Sequence, residues 1–521
     1  MNFDALRRVR MSSLATMTDP KKRISLRLNK RMYLTAAVAS LLFLFTVSSL
    51  GPNRTQSLIS MASKEPLHVS RDQLPQPSPG APTYLQTDYA EGVEDVYLMV
   101  KTGATVLWKR LPVHFLTTFK QVPYFQVYSD MAETISDHHV IDTFENVSEA
   151  LKLVDDFELY RIQQEMINSH SNMLIEDNPG ITSNRKGWSL DKYKNLPMLQ
   201  HAWSVRPDAK WFVFMDADSY VMWTPLMNWL STLNHRHALY MGSSVGRPPV
   251  QFAHGGSVVI ISRGAMLRSF GRDSQYFRKY EKKTIKTCCG DLMVAHALYD
   301  SGVKIAIGEN QYPYAKWKFQ GEPNWLVYGN KDNWCAPIMS FHHVSMQNIQ
   351  DIWEFEQDWK KTHHKDEYIR YVDVYHRFMH PYLEAQKDEW DNRSNDREYS
   401  NAEDRPKASR EPAFESLETC IEYCEAWDEC VGYRFNPGFC GLSRSVRLGR
   451  RRGRYGDEKV DESKRWISGW MLDRIRDMRA HSGCDSIANE EILQSNVTED
   501  SLIVPGLEVK GKGDKKGLFG F

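Results

Sequence analysis

Asp216 and Asp218 stand two residues apart, directly after the aromatic run Trp211 to Met215 (WFVFM). Five apolar residues in a row have the length and character of a buried strand. Unpaired charge is costly to bury, so acids at the end of such a strand are poorly placed as core residues. They are well placed to hold a hard divalent cation, which prefers oxygen ligands and often shares them with a substrate phosphate. A surface turn could also carry two aspartates. This is the only D-x-D in the chain and it follows the most strand-like aromatic run, which favours the metal.

Further along are other groups that could serve chemistry. Phe252-Ala253-His254-Gly255-Gly256 is a glycine-rich turn between short strands at Leu239 to Gly242 and Val258 to Ser262. Its two glycines permit close approach of backbone to a ligand, or they serve only the turn. Cys288-Cys289-Gly290-Asp291 leads into an apolar helix, Leu292 to Tyr299, placing Asp291 at the N-cap or first turn. Capping is the usual task of an aspartate there. Pro337 to Phe341 reads as a buried strand ending in His342-His343. A carboxylate metal site commonly recruits an imidazole, which makes a histidine at that strand end a candidate.

The elements that must position these residues alternate. Val96 to Val100 is a short strand, followed by Thr102-Gly103 and a helical segment from Ala104 to Phe119 broken near Pro112. Tyr124 to Tyr128 is a second strand ending in Ser129-Asp130, and His139 to Ile141 a third, with helical patterns at Glu149 to Ser169 and Leu190 to Val205. Alternating strands and helices predict an α/β sheet with ligand sites beyond the carboxyl ends of its strands. Thr102, Asp130 and Asp216/Asp218 all fall at such ends. Helices are expected at Gln347 to Lys361 and Glu367 to Gln386.

At 521 residues the chain is too long for one ordinary core. Lys+Arg and Asp+Glu both total 66, so net charge gives no argument for a nucleic-acid partner. Met32 to Leu50 is uncharged and about long enough to span a bilayer. Lys21, Lys22, Arg23, Arg27, Lys30 and Arg31 precede it, so the positive-inside rule leaves residues 1–31 cytosolic and the remainder lumenal. We expect a signal anchor rather than a cleaved signal peptide. The N-x-S/T sequons at Asn53, Asn146, Asn392 and Asn496 then lie on the glycosylated side.

Residues 51–90 are polar and proline-rich and read as a stem. Residues 391–412 read as a linker, and 413–484 as a small module carrying Cys420, Cys424, Cys430 and Cys440, stapled by disulfides in an oxidising lumen. The basic run Arg444 to Arg454 is expected as a solvated loop, and 485–521 as a disordered tail. Adjacent cysteines bond each other only with strain, so Cys288 and Cys289 are expected to pair elsewhere, with Cys335 and Cys484 among the possible partners.

The stretches VKTGATVLWKRLPVHFLTTF, YSDMAE, WFVFMDADSYV, FAHGGSVVIIS, CCGDLMVAHAL and SFHHV, in this order, resemble glycosyltransferase family 31, the group of Fringe and the core 1 β1,3-galactosyltransferases, most closely its fungal members. The resemblance implies a GT-A fold over 91–390, a UDP-sugar donor, Mn2+ or another divalent cation, and inversion at the anomeric carbon. The cysteine spacing of the C-terminal module looks like part of a PAN/Apple module. By the resemblance, Asp216, Asp218 and His342 hold the metal, with Asp218 the direct ligand and His343 only a neighbour. Asp291 matches the catalytic base. Thr102, Arg110 and Asp130 match nucleotide-side positions, Lys194 falls near a lysine facing the diphosphate, and Gly255 and Gly256 match the turn lining the sugar pocket. Ala217 stands where relatives often carry a middle aspartate.

The expectation is a Golgi type II membrane protein that transfers a hexose, galactose in β1,3 linkage, from UDP to a glycan or glycoprotein hydroxyl by single displacement. Fringe-like transfer of N-acetylglucosamine is the alternative within enzymes. A catalytically inactive GT-A domain that binds glycans is the alternative outside them.

Overall fold

The protein is described here by a computed structural model covering residues 89–135, 137–169, 184–247, 250–306, 335, 337–364, 367–400, 412–452 and 465–480. The first strands are β1 (Val96–Lys101), β2 (Phe125–Ser129), β3 (Glu133–Ile135), β4 (His138–Asp142) and β5 (Trp211–Asp216). After them come β6 (Ser219–Val221), β7 (Tyr240–Met241), β8 (Ser244–Arg247), β9 (Val250–Ala253), β10 (Val259–Ser262) and β11 (Ser340–His342). Seven build one sheet in the order β3-β4-β2-β1-β5-β10-β7. It is parallel from β4 to β5 and antiparallel at β10, β7 and the β3 edge. The α/β expectation holds.

The continuous apolar runs exist because both sheet faces are covered. Alternate residues of β1 and β5 enter different clusters: Tyr97, Met99, Phe212 and Phe214 on one face, Leu98, Val100, Val213 and Met215 on the other. Helices supply the cover, among them α1 (Pro112–Leu116), α2 (Glu158–Asn168), α3 (Asn184–Asp191), α4 (Asn195–Val205) and α5 (Gly290–Tyr299). α4 and α5 lie on the first face through Leu199, Ala202, Val294 and Leu298. Pro112 opens α1, where its missing N–H costs nothing. Two further helices follow, α6 (Met346–Thr362) and α7 (Tyr371–Phe378), the latter ending well before the expected Gln386.

The expected linker is partly sheet. β12 (Gln386–Asp388), β13 (Trp390–Asp391) and β14 (Arg397–Ser400) precede α8 (Leu417–Glu425), β15 (Gly432–Asn436), β16 (Phe439–Ser443), β17 (Arg450–Arg451), β18 (Ile467–Trp470) and α9 (Leu472–Ala480). Five strands form an antiparallel sheet in the order β12-β18-β15-β16-β14. Cys420–Cys440 ties α8 to β16, and Cys424–Cys430 closes the turn after α8. The module is not a separate bead. Val431, Val446, Trp470 and Ile475 share one apolar cluster with Tyr220, Phe341, Ile349 and Tyr375.

Three local expectations are corrected here. Arg447, Arg451 and Arg452 are not loosely solvated; they bind the backbone oxygen of Arg393, the Glu389 carboxylate and the Asp391 carboxylate. Asn392 is not a glycan acceptor in this fold, because it is fully buried and its amide nitrogen donates to the carbonyls of Tyr433 and Gly469. Cys288 and Cys289 are bonded to each other at a Cα separation of 3.8 Å. Cys289 is the N-cap of α5 and its backbone is extended. Cys335 is also in a disulfide, and among the described residues no cysteine is free.

No helix among the described residues is long and apolar enough to cross a membrane. The anchor expected at 32–50, the stem to residue 88, Asn53, Asn496, Cys484 and the tail from 485 lie outside the described residues.

Candidate active site

The site begins with register. β1 and β5 are parallel neighbours and pair Lys101 with Asp216 at their carboxyl ends. Lys101 Nζ lies 2.5 Å from Asp191 Oδ2, at the end of α3, and 3.2 Å from Asp216 Oδ1. Burial disfavours the ammonium, but Asp191 and then Asp216 outweigh it and hold its pKa above the ordinary lysine value. The ammonium lies closer to Asp191 than to Asp216. Burial pushes Asp216 above the usual carboxylate range against the pull of Lys101, whereas Asp191 falls below it because Lys101 and Lys194 together overcome its burial.

Past Asp216 the chain turns tightly. Ala217 N–H donates to the Lys101 carbonyl at 2.9 Å, and the Ala217 carbonyl accepts from His114 Nε2 at 2.9 Å. β6 then pairs with β11, setting His342 opposite Ser219. That pairing brings two distant segments onto Asp218. Its Oδ1 is 3.7 Å from His342 Nε2, and its Oδ2 is 3.7 Å from His343 Nδ1 and 3.1 Å from Arg110 Nη2. Burial would raise its pKa, yet His343, Arg110 and His342 hold it at about 2, so it is a carboxylate at neutral pH.

The glycine turn completes the wall. A Cβ on Gly256 would sit 2.1 Å from Nε2 of His342, so only glycine leaves room for that ring. Gly255 N–H donates to Asp291 Oδ2 at 3.1 Å, and Leu292 N–H to Asp291 Oδ1 at 2.9 Å. Asp291 therefore lies in the first turn of α5, where it takes one of that turn's free N–H groups, and its half-buried carboxylate is also held by Gly255.

The donors fit a divalent cation. Ligand atoms from Asp218, His342 and His343 all lie within 4.8 Å of one another. One carboxylate with two imidazoles suits a transition-metal ion better than calcium or magnesium, which take all-oxygen sets. Two assignments change. His343, passed over in the sequence, joins the cluster, while Asp216 turns its Oδ1 to Lys101 instead. Asp216 ends β5 and Asp218 follows the tight turn at Ala217, so the pleat of a single strand does not place both carboxylates.

The expected donor-binding residues divide. Arg110 is half-exposed beside Asp218 and lines, with Lys109 and His343, an open cavity of about 380 Å3. Lys194 does not face a diphosphate: it is buried, donates to the Thr102 carbonyl at 2.8 Å and lies 3.2 Å from Asp130 Oδ1. Asp130 is buried too, taking Ala104 N–H and Gln163 Nε2 as well, and so braces the loop after β1. The Thr102 hydroxyl is buried with no hydrogen-bond partner among the described residues. Another cavity, about 840 Å3, is lined by Asp95, Lys210 and Trp211 at the opposite ends of β1 and β5, away from these acids.

Lys101, Asp191 and His114 went unnoticed in the sequence. Lys101 looked like the polar end of a strand, and Asp191 and His114 like helix residues. Only tertiary register joins them to the D-x-D.

Residues 91–293 match the family model described as Fringe-like. No curated protein matches the chain. A Fringe-like domain implies a glycosyltransferase of the family 31 type, and the parallel-rich α/β sheet is consistent with a GT-A fold.

Proposed function

We propose that the protein is a metal-dependent, inverting glycosyltransferase that moves a hexose from a UDP-sugar to a glycan hydroxyl. The observation that carries this reading is the convergence of Asp218, His342 and His343 with Asp291 around Gly255 and Gly256, the two histidines coming from outside the Fringe-like stretch 91–293 and the rest from within it. A divalent cation held by Asp218, His342 and His343 would offset the charge developing on the departing diphosphate.

The chain's own residues account for the remainder. Arg110 supplies fixed positive charge where the diphosphate would lie, while Lys101 is buried and holds Asp191 and Asp216 in place. Asp291 accepts the proton of the acceptor hydroxyl as its oxygen bonds to the anomeric carbon, and the bond to UDP breaks with its electron pair leaving on the diphosphate. Two backbone N–H groups fix the Asp291 carboxylate for that role. A single displacement needs no covalent nucleophile, so the cysteines have no part in it. Galactose is the proposed sugar, in β1,3 linkage. A type II Golgi topology with a lumenal catalytic domain, and a PAN/Apple character for the C-terminal module, complete the reading.

The test is UDP release from a panel of UDP-sugars, with Mn2+ or with a chelator. Metal-dependent turnover is expected with at least one donor and acceptor; none with any would sink the reading. Asp218→Ala should lose metal-dependent UDP binding, and Asp291→Ala should keep binding and lose transfer. An active, folded Asp291→Ala would remove Asp291 as base.

A further inference from the structure

Cys288 and Cys289 are bonded to each other two residues before Asp291, and the proposed transfer uses neither sulfur. The usual reason for a disulfide is absent. A link between chain neighbours closes almost no loop, so it takes little entropy from the unfolded chain. What it does take is local freedom, because a ring closed through two consecutive residues limits the backbone rotations of both. Cys288 is exposed and Cys289 half-buried, so reagents in solution can reach the bond.

The chain is anchored on either side of that ring. Upstream, Lys192 Nζ donates to the Ile285 carbonyl at 3.2 Å and Thr287 Oγ1 to the Lys283 carbonyl at 2.8 Å. Downstream, Gly290 is pressed against the segment between α3 and α4: a Cβ there would lie 2.7 Å from the Lys192 carbonyl oxygen and 2.9 Å from the Asn195 side chain. The ring is the joint between these anchors. Cys289 is the N-cap of α5, yet its side chain accepts no hydrogen bond from the helix. Asp291 does so instead, its Oδ1 taking the Leu292 N–H while its Oδ2 takes that of Gly255. One carboxylate serves both the helix end and the glycine turn, so its placement depends on how the chain enters α5.

We propose that the Cys288–Cys289 bond is a positioning element for Asp291, fixing the entry to α5 so that the carboxylate is held where the acceptor hydroxyl would meet it. The inference rests on the reading of Asp291 as base. The bond takes no covalent part in transfer, but it makes the site reversibly sensitive to thiols. A dithiol such as dithiothreitol passes two electrons and two protons to the bond, leaving two cysteine thiols and its own cyclic disulfide. Cys420, Cys424, Cys430 and Cys440 are fully buried, so mild reduction opens the exposed Cys288–Cys289 bond before theirs.

The pairing is read first, by peptide mapping of the unreduced full chain. Cys288 or Cys289 joined to another cysteine, or present as a thiol, would overturn the proposal. Turnover, the KM of each substrate, UDP binding and thermal unfolding are then compared for wild type, Cys288→Ser/Cys289→Ser and Asp291→Ala. The double variant should lose about 10-fold or more in kcat, with donor KM, UDP binding and melting midpoint unchanged. An unchanged kcat, or a kcat that falls only together with the midpoint, would overturn the proposal and leave Asp291 as base. Should the double variant not fold, wild type reduced with dithiothreitol and mapped as open at Cys288–Cys289 alone gives the same comparison, and glutathione disulfide should restore the lost turnover. Full activity in that reduced protein would overturn the proposal. A folded, active Asp291→Ala would remove the base itself, and the inference with it.

Discussion

The imidazole of His342 lies directly over Gly256, so close that a Cβ there would fall 2.1 Å from its Nε2. The glycine is a packing surface for a ligand, not a hinge. Gly256→Ala should push the ring off Asp218 and cut metal-dependent activity by about 100-fold or more, the scale of a 1 Å misplacement. Folding should be nearly unaffected. Activity within a few-fold of wild type, at unchanged Mn2+ affinity, would show that His342 is not a ligand.

His343 sits at φ 55°, in the left-handed region, so the backbone there already suits a small residue. His343→Gly removes the second imidazole while preserving that conformation. We expect Mn2+ affinity to fall about 10-fold or more, by calorimetry on the protein with UDP. Unchanged affinity would return His343 to the role of bystander.

His114 gives a pH dependence. Burial lowers its pKa from 6.5 to about 4, against the bond to the Ala217 carbonyl and the nearby Asp218. Below pH 6.5 the unfolded chain takes up a proton that the folded chain refuses. Stability from this group is therefore complete above about pH 6.5 and falls as pH drops towards 4, by on the order of 3 kcal/mol. Denaturant unfolding of wild type between pH 7 and 4 should show that slope, and His114→Gln should flatten it. Parallel profiles would refute the assignment.

The shared cluster of Val431, Trp470, Phe341 and Tyr375 predicts that the module cannot be removed cleanly. A chain ending at Tyr382 should expose apolar surface, bind a hydrophobic dye and lose cooperative melting. A truncated chain that melts like the whole would make the contact dispensable.

The disulfides should differ in weight. Cys420–Cys440 spans 20 residues, and its loss should cost about 3 kcal/mol by loop-closure entropy. Cys288–Cys289 spans one and closes almost no loop, so Cys288→Ser/Cys289→Ser should barely move the melting midpoint. Comparable shifts for both would contradict this account.

The sequence disclosed what burial writes into composition. β1 and β5 were legible because both of their faces are covered, and Asp218, Asp291 and His342 were legible as polar residues at the ends of such elements. The strands between Gln386 and Ser400 were not. They are short strands with no apolar alternation, β12 and β14 at the edges of the sheet, held by backbone pairing and by Arg434–Asp391, Arg451–Glu389 and Arg465–Asp388. The Asn392 sequon misled for the same reason, since burial of an amide between strands leaves no local signal. Lys194 read as a ligand-facing lysine by the resemblance alone, and nothing near it in sequence announces Asp130.

The hydrogen bond from His114 to the Ala217 carbonyl also bears on how this chain can change by descent. Ala217 is 1% exposed, with His114 and Asp218 at hand, so an aspartate there would add a buried anion beside a neutral imidazole. Because His114 binds the backbone carbonyl of residue 217, that bond does not depend on the side chain there, and the cost of the replacement is that of burying a second anion beside Asp218.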